Sequence, residues 1–136
     1  MQFNRDIRTK LLQLGTHFKV LVLTGARQTG KTTLLKALFP KHRYVTLDLP
    51  QDAAQAEHAP TEFFARHPPP VLIDEVQYAP ALFRHLKVHA DTSAQKGQYV
   101  LTGSQRFSLM KSVSESLAGR AAVLELYGLS CSELGA

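Results

Sequence analysis

A chain of 136 residues with 16 Lys and Arg against 11 Asp and Glu, formal charge +5, can bury one domain core but is short for an enzyme carrying its own lid or substrate domain. Cys131 is the sole cysteine, which excludes an internal disulfide and fits a reducing compartment, where its expected role is passive. No apolar run approaches the ~18 residues of a membrane span, and residues 1–6 lack the hydrophobic centre of a signal peptide, so a cytoplasmic protein with no membrane partner is expected.

Phe3, Ile7, Leu11 and Leu14 recur about one helical turn apart, predicting an amphipathic first helix with Gly15 as its C-terminal cap. Arg5, Arg8 and Lys10 take its other faces and read as a solvated surface. The run Val20-Leu21-Val22-Leu23 predicts a buried strand, and Gly-Ala-Arg-Gln-Thr-Gly-Lys-Thr-Thr follows it directly at 25–33. That segment fits the phosphate loop GxxxxGK[ST], the Walker A pattern, and points to nucleotide binding. Beta and gamma phosphates are densely charged, so they call for inward backbone N–H groups, a close cation and a hydroxyl that holds a metal. The candidate cradle is therefore Gly25, Ala26, Arg27, Gln28, Thr29, Gly30, Lys31, Thr32 and Thr33. Gly25 and Gly30 allow the tight loop, Lys31 reaches the phosphate oxygens, and Thr32 offers its hydroxyl to Mg²⁺. Arg27 and Gln28 are candidates to touch phosphate or a partner subunit, with solvent as the alternative. Leu34, Leu35, Leu38 and Phe39 continue as a helix whose positive N-terminus faces the phosphates.

Residues 44–49 read as a second strand ending near Asp48, which is a candidate for the metal shell or a cap for a nearby amide. Residues 52–66 read as helix broken at Pro60, with Thr61 a candidate cap, and Pro68-Pro69-Pro70 delivers the chain, extended, into Val71-Leu72-Ile73. Asp74 and Glu75 then stand at the carboxyl end of that buried strand, the edge where parallel sheets bind ligands. Asp74 is the candidate metal acid, acting through water, and Glu75 the candidate that polarises the water attacking the gamma phosphate, in Walker B fashion. Leu82, Phe83, Leu86 and Ala90 mark another helix, in which His85 and His89 lack a third metal ligand. The strand 99–102 runs into Gly103-Ser104-Gln105. Ser104 is the candidate to hydrogen-bond the gamma phosphate or the water, with Thr102 its nearest competitor. A helix at 109–117 and a strand at 122–126 complete five alternations of strand and helix, the pattern of a three-layer α/β domain with a parallel sheet.

The succession GARQTGKTT, RYVTLDL, VLIDEVQ, VLTGSQ and SLAGRAAVLEL resembles, over nearly the whole chain, the AAA-type ATPase domain common in bacteria and archaea. The resemblance implies a P-loop NTPase fold with a five-stranded parallel sheet in the order 5-1-4-3-2, a sensor strand inserted beside the phosphate-loop strand, and Ser104 at the sensor position. It implies ATP rather than GTP, with which the absence of a guanine-reading NKxD agrees, and Mg²⁺ as cofactor. Arg120 becomes a candidate for sensing nucleotide or serving as a finger in a neighbour's site, with a surface pairing to Glu115 as the alternative. Relatives usually carry a further C-terminal domain, so residues 1–136 are expected to be one ATP-binding domain that is truncated or a stand-alone fragment. Where relatives often read Pro-Leu-Ser after the fifth strand, this chain has Gly128-Leu129-Ser130. The expected function is hydrolysis of ATP to ADP and phosphate to move an attached domain or protein partner. The alternatives are a non-catalytic switch or a DNA-associated motor; nucleic acid suits the charge, but no recognition motif supports it.

Overall fold

The apolar runs become strands β1 (Val20–Thr24), β2 (Arg43–Thr46), β3 (Val71–Asp74), β4 (Tyr99–Gly103) and β5 (Ala121–Glu125) in the computed structural model. It describes residues 5–26, 30–92, 95–104 and 106–126, with the backbone alone for residues 5 and 106–109. Every pairing is parallel, in the order β2-β3-β4-β1-β5, which is the implied order read from the opposite edge. Helices α1 (Arg5–His17) and α2 (Lys31–Leu38) cover one face, where Leu11, Leu34 and Leu35 meet Leu21, Leu23, Leu72 and Val100. On the other face α3 (Pro50–His58), α4 (Pro60–Arg66), α5 (Leu82–Thr92) and α6 (Arg106–Ser116) bury Phe63, Phe64, Phe83 and Leu86 against Val22, Ile73 and Leu101. β1, β3 and β4, buried on both faces, therefore read as near-continuous apolar runs rather than alternating ones, whereas the edge strand β2 is largely exposed.

Local chemistry moves several boundaries. Gly15 is not a cap: α1 runs on to His17, and the Thr16 hydroxyl donates to the Gln13 carbonyl at 2.6 Å to close the last turn. The glycine is instead a packing residue, because a Cβ there would sit 3.3 Å from the Phe39 ring. Thr61 does not cap α4; Pro60 occupies the first turn, where its missing N–H and fixed φ suit a helix start. The second strand starts at Arg43 and stops at Thr46, where the Leu47 N–H makes the last bond of the ladder to β3, reaching the Asp74 carbonyl at 2.9 Å. Helix α6 begins at Arg106, ahead of the leucine periodicity from which it was expected.

Three histidines lie among aromatic rings on these faces. His42 is 5.1 Å from Phe39 and donates through Nε2 to the Gly97 carbonyl, His67 is 4.8 Å from Phe63, and His89 is 4.8 Å from Phe64. Burial holds each below the ordinary histidine value of 6.5. A depressed value means the unfolded chain takes up the proton first, so stability is complete above 6.5 and declines as pH falls through it. The midpoint of thermal unfolding is therefore expected to drop between about pH 7.5 and about pH 5.5. His89→Phe, which keeps a ring beside Phe64, should remove part of that drop; an unchanged pH slope in the variant would refute the assignment.

Candidate nucleotide site at the carboxyl edge of the sheet

The turn after β1 is built from two glycines for two different reasons. Gly30 adopts a left-handed conformation (φ 88°) immediately before α2 and lets the chain turn into the helix, whose Leu34 N–H bonds back to the Gly30 carbonyl at 2.9 Å. Gly25 answers a steric demand: a Cβ would lie 2.4 Å from the Leu126 carbonyl oxygen, where the end of β5 presses on the loop. Gly25→Ala is thus expected to lower stability by about 1–3 kcal/mol, as overpacking does, and to weaken nucleotide binding along with it. Urea unfolding and calorimetry report both, and a variant as stable as its parent would contradict the packing argument.

Lys31 opens α2 only 4% exposed. Its Nζ donates to the Gly25 and Ala26 carbonyls at 2.8 and 3.0 Å, so the cation sits inside the curve of its own loop. Arg27, Gln28 and Thr29 lie outside the described residues. Gly30, Lys31, Thr32, Thr33 and Glu75 line a cavity of about 180 Å³ at the mouth of α2. A larger cavity of about 380 Å³, lined by Glu57, Pro60, Ala81, Arg84, His85 and Val88, lies away from the phosphate loop, and none of the lining residues is a glycine.

Thr32 and Asp74, 42 positions apart, are joined directly: the Thr32 hydroxyl donates to Asp74 Oδ1 at 2.9 Å. The same Oδ1 accepts from the Thr102 hydroxyl, and Oδ2 accepts from the Tyr44 hydroxyl at 3.0 Å. Thr102 also accepts the Glu75 N–H at 3.0 Å. That bond supports Glu75 in a left-handed conformation (φ 57°, ψ 50°), sparsely populated by residues with a side chain and concentrated at functional sites. The turn carries Glu75 away from the strand direction, and its Oε1 accepts from the Ser104 hydroxyl at 2.9 Å and from Gln77 Nε2 at 2.8 Å. Ser104, the candidate for the gamma phosphate, therefore bonds to Glu75. Thr102, read as its competitor, instead links the two acids. Sequence reasoning passed over Tyr44 and Gln77; their only signal was proximity to the two acids in a sheet whose order is known.

Asp48 joins the group, with one carboxylate oxygen each from Asp48, Asp74 and Glu75 within 4.8 Å of one another. Hard oxygen donors of this kind, with the Thr32 hydroxyl beside them, suit Mg²⁺. Arg120 is not brought here. It precedes β5 at the amino edge, its carbonyl accepting the Val20 N–H at 3.2 Å, roughly 16 Å from the loop at about 3.3 Å per strand residue. Its guanidinium pairs with Asp91 (Nε to Oδ1 2.5 Å), not with Glu115. Mutual pairing lowers the Asp91 carboxyl and raises the arginine. His85 and His89 join no metal cluster among the described residues.

A parallel sheet in this order, with a glycine loop after β1 and an acid pair after β3, defines a P-loop NTPase fold. The chain belongs to the AAA domain family, whose model matches residues 17–135. It is 34% identical over 133 residues to the uncharacterized protein Rv2008c of Mycobacterium tuberculosis, and equally to the uncharacterized protein Mb2031c of Mycobacterium bovis. Each match takes in 96% of this chain but 30% of the relative, so the chain spans under a third of their length. A crystal structure of a DNA replication initiation factor shares the fold, with a TM-score of 0.53 and 21% identity over 89% of this chain and 44% of that one. No helix among the described residues is long and apolar enough to cross a membrane.

Proposed function

We propose that the chain is the ATP-binding domain of a Mg²⁺-dependent ATPase, which hydrolyses ATP to ADP and phosphate and uses the change to move an attached domain or partner. One observation carries the reading. Among the described residues, the buried polar and charged side chains are Thr24, Lys31, Asp74, Glu75 and Thr102, and all belong to the carboxyl edge beside the phosphate loop. Burying a cation and two acids is costly unless they are paired or meet a charged ligand, and a triphosphate with its metal complements that set.

In this reading Lys31 exchanges its loop carbonyls for beta and gamma oxygens, and the first turn of α2 supplies N–H groups to the phosphates. Thr32 and Asp74 hold Mg²⁺, with Asp48 at its margin; the metal, when bound, offsets phosphate charge. Glu75 orients the attacking water and takes its proton as the bond between the gamma phosphorus and the bridging oxygen breaks. Ser104 and Gln77 fix that carboxylate. The same two hydrogen bonds favour a second reading, a non-catalytic switch, because Oε1 is already engaged by Ser104 and Gln77. Calorimetric titration with ATP and GTP, each with and without Mg²⁺, together with phosphate release, tests both. Preferential Mg²⁺-dependent ATP binding with turnover supports the ATPase, binding without turnover supports the switch, and no binding defeats both.

A further inference from the structure

Asp74 is gripped from three elements at once, and the grip from β2 has no counterpart in the chemistry assigned so far. Parallel register sets Thr46 beside Asp74 and Tyr44 beside Leu72, so Tyr44 and Asp74 emerge on the same face of the sheet, the face covered by α2. The tyrosine reaches along that face until its hydroxyl meets Oδ2 at 3.0 Å. Its ring, 40% exposed, is covered by the Lys36 ammonium, 3.8 Å from the ring centroid. Lys36 stands one helical turn after Thr32, and residues at i and i+4 share a helix face. One face of α2 thus touches Oδ1 directly through Thr32 and backs Oδ2 through Lys36 and the tyrosine ring.

We infer that Tyr44 is a positioning residue for the metal-binding carboxylate, clasped by Lys36, so that the Lys36–Tyr44–Asp74 chain sets how strongly nucleotide binding depends on the divalent cation. The inference rests on the reading of this site as one for Mg²⁺-ATP. A carboxylate offers about four lone-pair positions. Thr32 and Thr102 occupy those of Oδ1 and Tyr44 one of Oδ2, which leaves a single direction for a metal-bound water. Without the phenol hydroxyl, Oδ1 stays held by Thr32 and Thr102 but Oδ2 loses its bond from β2, and that direction is no longer fixed. A cation over the ring face is attractive for the ring quadrupole and holds the phenol in place from outside.

Tyr44→Phe removes the hydroxyl alone. Calorimetric ATP affinity measured in EDTA should stay within about twofold of the parent, while the gain on adding Mg²⁺ should shrink ~3- to 10-fold, the effect of one lost hydrogen bond. Equal losses with and without Mg²⁺, or an unchanged gain, overturn the inference. If the parent itself binds no ATP, the ATP reading fails instead, which is a different result. The chain has no tryptophan and four tyrosines, so a second readout is tyrosine emission during a Mg²⁺ titration: the parent should respond and Tyr44→Phe should respond less. Lys36→Met should lose part of the Mg²⁺ gain, and the double variant should lose no more than Tyr44→Phe alone. Additive losses in the double variant would overturn the clasp.

Discussion

Alanine in place of Lys31 is expected to lower ATP affinity at least ~100-fold by calorimetry, because two charge-assisted hydrogen bonds of about 1.5–3 kcal/mol each go with the ammonium. Removing a long side chain at a site this buried also deprives the Gly25 and Ala26 carbonyls of their donor. The loop is then expected to loosen while the sheet survives, since β1 is held independently by β4 on one side and β5 on the other. A melting curve near the parent's, together with lost binding, is therefore the predicted pair of results. Undiminished affinity in a folded variant would mean that phosphate is held somewhere other than this loop.

The second large effect is Glu75→Gln, expected to leave Mg²⁺-ATP affinity within about threefold and to cut phosphate release by ~10²- to 10⁴-fold, the usual range for loss of a general base. The amide matches the carboxylate in shape, and its oxygen still accepts from Ser104 and Gln77. Thr102 still receives the backbone N–H that holds the left-handed turn. The variant consequently changes basicity with little change of geometry. Turnover that persisted would remove Glu75 from the chemistry, and a parent that released no phosphate at all would leave the switch as the surviving alternative.

The sheet, its flanking helices and the loop-plus-acids arrangement were legible because each is written locally: apolar runs for buried strands, glycines at a turn, two acids after an isoleucine. The strand order came from the resemblance, since periodicity carries no information on which strands lie side by side. That is also why Tyr44 was read as one more strand residue. Its meaning depends on the register of β2 against β3 and on a lysine one turn along α2, all separate in sequence from Asp74. Thr102 and Ser104 were found as polar residues at a strand end, but their division of labour depends on the turn at Glu75, which no pattern marks. Gly15 was misread because a glycine near the end of a helical repeat has the same signature whether it caps the helix or makes room for a ring such as Phe39. For Arg120 the surface alternative named Glu115, which is close in sequence, whereas the acid it meets, Asp91, comes from α5.

The contact of the Leu126 carbonyl with Gly25 has a mechanical corollary. Leu126 donates its N–H to the Thr24 carbonyl at 2.7 Å and turns its oxygen onto the next residue, so the polypeptide leaves the sheet pinned against the first residue of the phosphate loop. The end of β5 and the first residue of the phosphate loop therefore sit too close for either to be displaced toward the other without moving it.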